Sequence, residues 1–186
     1  MFYPCKSTLI HIYCLTRIDV KYVLNNFYIF KTMKILMVCL GNICRSPLAE
    51  GITRQLLHER RLSWEVDSAG TTGWHEGAAV DCRSVAVARA HQVDISQLKA
   101  RRITYLDLQD SDIIVAMDAQ NYQDIRRLDP KATDGKLYMM MNFLFPDQNR
   151  PVPDPYYGND QDFADVCNML KEACNAMIDQ LQQRSF

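Results

Sequence analysis

Residues 33–57 read MKILMVCLGNICRSPLAEGITRQLL, and few folds accommodate that order of residues. Residues 34–38 are short, apolar and partly β-branched, as a buried parallel strand is. Residues 39–45 form a polar loop in which Gly41 permits backbone conformations other residues avoid and Asn42 tolerates left-handed geometry. Pro47 suits the first turn of a helix, where its missing N–H is no loss. Leu48, Ile52, Leu56 and Leu57 then recur on one apolar helical face. A buried strand that turns through a tight loop into a helix is the opening of a βαβ unit, which commits the chain to an α/β architecture.

The rest of the chain keeps the alternation. Residues 64–68 read as a second strand, residues 80–91 as a helix, and 112–117 as a third buried strand. Residues 118–128 read as a helix with Asp118 as its N-cap. Residues 136–144 include a fourth strand. Residues 160–181 close the domain with a long helix, in which Phe163, Val166, Leu170, Ala173, Met177 and Leu181 keep to one face. The expected fold is a single-domain, doubly wound sheet of four parallel strands with helices on both faces. A ligand belongs at the carboxyl ends of the strands, near a switch point, which is where the Cys39 loop lies. At 186 residues the chain can bury a good core.

That loop carries Cys39, five residues, then Arg45 and Ser46. Backbone N–H groups of a loop entering a helix N-terminus converge on an anion, and the helix dipole adds to the attraction. The same field favours Cys39 as a thiolate. Arg45 offers a planar fork for two oxyanions, and Ser46 can donate its hydroxyl to the sulfur. Seven cysteines in the chain make the bare spacing unremarkable. The strand before it and the Ser-Pro helix start after it give it meaning.

CLGNICRSPLAE resembles the signature loop of the low-molecular-weight protein tyrosine phosphatases, and the similarity runs from about Met33 to the C-terminus. Val152-Pro153-Asp154-Pro155-Tyr156-Tyr157-Gly158 resembles that family's second motif, over a hundred residues away. The resemblance implies hydrolysis of protein phosphotyrosine without metal or cofactor. Cys39 would be the nucleophile, Arg45 the oxyanion holder and Asp154 the general acid. Gly41, Asn42, Ile43, Cys44 and Ser46 would line the anion site, and Leu40 would add an apolar wall. Trp74, Tyr156 and Tyr157 would wall the phenyl ring, with Tyr156 the better candidate of the two tyrosines. Ser68, with Asn42 and Ser46, would hold the loop in shape. The sequence departs from the family at Leu98, where a histidine often supports the loop; that departure leaves two readings, a softer loop or compensation by Gln97. Asp118 and Asn121 resemble a pair near the site, although an N-cap and a helix-surface amide explain them equally well. Close relatives also carry a second loop cysteine at the Cys44 position, which suggests a reversible Cys39–Cys44 disulfide under oxidation.

Other chemistries fit less well. An arsenate reductase needs resolving cysteines downstream, and residues 111–121 contain none. A protein-arginine phosphatase resembles this loop but tends to carry Thr where Ile43 stands. A non-enzymatic phosphate binder needs neither thiol nor acid. His11, His58, His75 and His91 show no metal spacing and read as surface or helix-face residues. A net charge of −1 gives no sign of nucleic-acid binding. An odd number of cysteines without CxxC pairs fits free thiols in a reducing compartment, hence a cytoplasmic location.

Residues 1–32 are rich in Tyr, Phe and Ile, yet contain neither a membrane-length apolar run nor a signal-peptide pattern. We read them as an extension ahead of the domain at 33–186, either untranslated, with Met33 the working start, or poorly ordered. The expected partners are phosphotyrosine proteins or peptides, with a tyrosine kinase as a candidate functional partner; no membrane association and a monomeric state are expected.

Overall fold

The computed structural model describes residues 32–184, together with 23–24 and 27–28. The expectation for residues 1–32 falls almost wholly outside the described residues. Within that segment Val23–Leu24 (β1) and Phe27–Tyr28 (β2) pair antiparallel, Val23 opposite Tyr28. The unit that begins at Thr32 is described by itself.

Its sheet is built on Lys34–Cys39 (β3), buried from its second residue to its last. Glu65–Gly70 (β4) lies on one side of it, and Ile113–Ala116 (β5) and Leu137–Met139 (β6) on the other. The order is β4-β3-β5-β6, and every pair is parallel. Strand alternation sends Ile35, Met37, Cys39, Ile113 and Val115 into one apolar layer and Leu36, Val38, Ile114 and Ala116 into another.

The first layer is covered by Arg45–Glu59 (α1), Cys82–Ala90 (α2), Asp160–Arg184 (α6) and the 3-10 turn Met140–Phe143. The second is covered by Tyr105–Asp110 (α3), Ala119–Leu128 (α4) and Pro130–Thr133 (α5). The doubly wound, four-stranded parallel sheet expected from the sequence is therefore borne out. The six residues assigned to the apolar face of α6 are all buried. Each fully buried Leu contributes ~1.5–3 kcal/mol.

Two features differ from expectation. The short helices α3 and α5 escaped notice because neither is long enough to show a period. Their caps explain them: Thr104 and Asp107 form a capping box, and Asp129 accepts from Lys131 N and Ala132 N ahead of Pro130. Helix α1 is also more than a one-faced amphipathic helix. Its residues from Arg45 to Thr53 are all buried, and a Cβ at Gly51 would collide with Ile95 and Val93.

After β4 the chain crosses to the far side of β3 to enter β5, so the switch point opens between the carboxyl ends of β3 and β5. Met117 N donates to Val38 O at 3.0 Å, and Val152 N donates to Met117 O at 2.7 Å. The second bond fastens the distant Pro-Asp-Pro segment to the end of β5. Among the described residues no helix is long and apolar enough to cross a membrane.

Candidate active site

Cys39 is the last residue of β3, and its side chain is buried beneath the loop that follows. Asn42 N donates to Cys39 Sγ at 3.3 Å, and Ser46 Oγ lies 3.1 Å from the same sulfur. The Ser46 hydroxyl also sits 3.3 Å from Ala69 O. Turned to the sulfur, it supports negative charge there. The N–H groups of Gly41, Ile43, Cys44 and Arg45 have no protein acceptor among the described residues, which leaves them available to an anion.

The loop is held by Asn42. Its φ is 56°, and its carboxamide is fully used. Nδ2 donates to Ser46 Oγ and to Ser68 Oγ, both at 2.9 Å, and Oδ1 accepts from Arg101 N at 2.9 Å. The left-handed residue is thus Asn42. Gly41, expected to supply unusual backbone geometry, does not have a positive φ. It is needed for space, because a Cβ there would lie 2.9 Å from His75 Cδ2.

Ser68 in turn donates to buried Glu50 Oε2 at 2.6 Å, and Arg54 pairs with the other Glu50 oxygen. Leu98 packs against the core, and among the described residues Gln97 bonds its neighbour Ser96. In this chain Ser68 is backed by Glu50, Asn42 Oδ1 takes the backbone N–H of Arg101, and Gln97 has no part in those bonds. Burial pushes the Glu50 carboxyl above the ordinary glutamate value, against the opposing pull of Ser68 and Arg54. The folded chain therefore binds this proton more tightly than the unfolded chain. Its contribution to stability is full below the ordinary value and is lost as pH rises through the elevated one. Glu50→Gln keeps an acceptor for Ser68 and removes the titration. In thermal melts between about pH 4 and 7, the Tm of the variant relative to wild type should rise with pH.

Arg45 begins α1 and is 3 % exposed. Nη1 donates to Asp118 Oδ2 and Nη2 to Asp154 Oδ2, both at 2.7 Å, and Nη1 also reaches Val152 O at 3.4 Å. Burial alone would lower its pKa, but the charges of Cys39, Asp154 and Asp118 outweigh it and push the value up. Asp118 caps α4 through Asn121 N at 2.7 Å. Asn121 is itself buried, and with its NH2 turned to Asp118 it donates to both carboxylate oxygens at 3.1 and 3.2 Å. N-cap and site residue are here one role: the same carboxylate caps the start of α4 and bonds the arginine.

The two loop cysteines are not equivalent. Burial, and then the charge of Asp81, push the Cys44 thiol up to about 12. Cys44 therefore stays a neutral thiol at ordinary pH, and the polar contacts converge on Cys39 instead.

A cavity of about 110 Å³ opens above Cys39, lined by Leu40, Gly41, Ile43, Cys44 and Arg45 at its base. Trp74, His75, Asp154, Tyr156 and Tyr157 form its walls. Trp74 and Tyr157 are exposed large aromatics. Tyr156 and Tyr157 meet edge to face with centroids 4.9 Å apart, and Tyr156 faces His75 at 6.3 Å. Of the predicted residues, Asn42, Ser46 and Ser68 stand behind the loop rather than in the cavity wall. His75, read from sequence as a surface residue, is part of the wall. Among the described residues no group of three or more His, Cys, Asp or Glu side chains could hold a metal ion.

An aromatic-walled cleft over a cysteine, an arginine and a half-exposed carboxylate is the arrangement of a phosphate-ester enzyme. The sequence model of the low molecular weight phosphotyrosine protein phosphatases matches residues 34–185. The human low molecular weight phosphotyrosine protein phosphatase is 37 % identical over 151 residues, spanning 80 % of this chain and 95 % of its own length. A crystal structure of a protein tyrosine phosphatase from Entamoeba histolytica, with Hepes in the active site, superposes with a TM-score of 0.78 at 34 % identity. The match covers 83 % of this chain and 100 % of that one. The structure of YfkJ from Bacillus subtilis gives a TM-score of 0.78 at 32 % identity, over 85 % and 99 % of the two chains. The chain belongs to the low molecular weight phosphotyrosine protein phosphatase family.

Proposed function

We propose that this protein hydrolyses phosphotyrosine in proteins through a cysteinyl-phosphate intermediate. The observation that carries the reading is the convergence of three residues. Arg45 stands at the head of the Cys39 loop and bonds Asp154 at 2.7 Å across the mouth of that loop. In the first step Cys39 Sγ attacks phosphorus, the P–O bond to the tyrosine breaks, and Asp154 gives its proton to the departing phenolate. Arg45 leaves its carboxylate partner to hold the phosphoryl oxygens, and the loop amides take the charge of the transition state. In the second step Asp154 takes a proton from water, the new O–P bond forms, and the S–P bond breaks to release phosphate.

Trp74, Tyr156 and Tyr157 stand where they can pack on an aryl ring. The experiment is the hydrolysis of phosphotyrosine, phosphoserine and phosphoarginine peptides by the purified protein. Phosphotyrosine is expected to lead by a wide margin. A preference for phosphoarginine would move the chain to the arginine-phosphatase reading.

The catalytic unit in this proposal is residues 33–186, acting as a monomer in the cytoplasm, with residues 1–32 dispensable and a tyrosine kinase supplying the substrate. Oxidation adds a regulatory step. Peroxide converts the Cys39 thiolate to a sulfenic acid, and the Cys44 thiol condenses with it, losing water and forming a disulfide. Both sulfurs are buried in one loop. Peroxide inactivation should be reversed by a dithiol, and phosphate should protect. Peptide mass mapping should find a 39–44 cross-link. If Cys44→Ser recovers as fully as wild type, Cys44 is only a packing residue.

A further inference from the structure

Arg83, in the first turn of α2, lies outside every motif discussed above, and its guanidinium is almost fully engaged. It grips Asp81 with two bonds, Nε to Oδ1 at 3.1 Å and Nη2 to Oδ2 at 2.9 Å. It also donates from Nη2 to Tyr156 O at 3.0 Å and from Nη1 to Gly158 O at 3.2 Å. Its plane lies over Phe163 at 4.3 Å and near Tyr156 at 5.9 Å.

Asp81 has a second attachment. Its backbone N donates to Ile43 O, in the Cys39 loop, at 2.9 Å. Asp81 and Arg83 thus form a two-residue strut. One end holds the loop of the nucleophile, and the other holds the carbonyls two and four residues beyond Asp154. The Asp154 side chain is 44 % exposed; it is bonded by Arg45 Nη2 at 2.7 Å and accepts from Tyr156 N at 3.3 Å, and the first of these bonds is given up when Arg45 turns to a phosphoryl group. Its place over the leaving group must come from the backbone that carries it, and Val152 anchors only the near side of that backbone.

We propose that Arg83 is a positioning residue for the general acid: by tying the segment after Asp154 to the nucleophile loop, it sets the distance between acid and nucleophile. The proposal rests on the phosphatase reading above. Lysine is a poor substitute, because one ammonium cannot grip a carboxylate and two carbonyls in this fork geometry.

The test uses Arg83→Met, which keeps the apolar stem, and Arg83→Lys, which keeps the charge, both in the full chain. Turnover is measured with phosphotyrosine peptide and with an aryl phosphate whose leaving group needs no protonation. For Arg83→Met, kcat on phosphotyrosine should fall about tenfold or more, while kcat on the activated ester stays within about threefold. Arg83→Lys should fall between wild type and Arg83→Met. Added to Asp154→Ala, Arg83→Met should cost less than about threefold more, since both act through one carboxyl. An equal loss on both substrates, or a full additional loss in the double variant, overturns the proposal. Hydrogen exchange supplies a readout independent of catalysis. Amides of residues 152–158 should exchange faster in both variants, with those of the Cys39 loop little changed. Unchanged protection there overturns the strut even if the protein proves to act on another phosphoryl group.

Discussion

Cys39→Ser should abolish turnover while inorganic phosphate or vanadate still binds. The cradle is made of backbone amides, Arg45 and the Asn42 network, and none of these needs the sulfur. A serine hydroxyl fits the same space and can accept from Asn42 N as the sulfur does. What it lacks is the polarisable sulfur nucleophile: a hydroxyl attacks phosphorus far less readily than a thiol or thiolate. The expected loss in kcat exceeds about 10⁴-fold, or about 5.5 kcal/mol of barrier. Rates on phosphotyrosine peptide and calorimetric titration with vanadate check the two halves separately. Residual turnover within about tenfold of wild type would remove Cys39 from the nucleophile's role.

The same residues show why part of the site was legible in the sequence and part was not. The β3–loop–α1 stretch is read directly because each step has its own local signal: a β-branched run, a Gly-Asn turn, a Ser-Pro helix start. Asp154 is visible through the likeness of its segment to the family's second motif; by itself Pro-Asp-Pro reads as an ordinary turn. The sheet order follows from alternation, since parallel strands need crossovers. Asp118 was half legible. Its cap is local, but its bond to Arg45 spans 73 residues and depends on β5 lying beside β3. His75 carries no signal at all, because what makes it a wall residue is the absent Cβ of Gly41. Glu50 reads as an ordinary helix-surface acid between Ala49 and Gly51. Only the folded chain shows that α1 is enclosed there and that Ser68 faces it. Arg83 has the same difficulty, since its partners Tyr156 and Gly158 lie 73 and 75 residues away. Residues read by neighbours in sequence were found; of those that reach the site only in space, Ser68 and Trp74 were found through the family resemblance, and His75, Glu50 and Arg83 were missed.

Asp154→Ala should lower kcat on phosphotyrosine by about 10²–10⁴-fold, the usual worth of a positioned acid. The effect must depend on the leaving group. Phenolate expelled from tyrosine needs the proton, whereas a weakly basic nitrophenolate leaves without one, so on such esters the loss should shrink toward the cost of the second step alone. Binding should move the other way. Asp154 occupies Arg45 Nη2 at 2.7 Å, and an arriving phosphate must displace it. Without that carboxylate the arginine is freer, and inorganic phosphate should inhibit the variant at least as well as wild type. Asp154→Asn sharpens the test, because it keeps the shape and removes the transferable proton. It should resemble Asp154→Ala in rate, and its backbone should stay held by Arg83. A plot of log kcat against leaving-group acidity should therefore be steeper in both variants than in wild type. If the two lines run parallel, with equal losses for good and poor leaving groups, Asp154 serves only to hold Arg45, and proton donation must be sought elsewhere in the cleft.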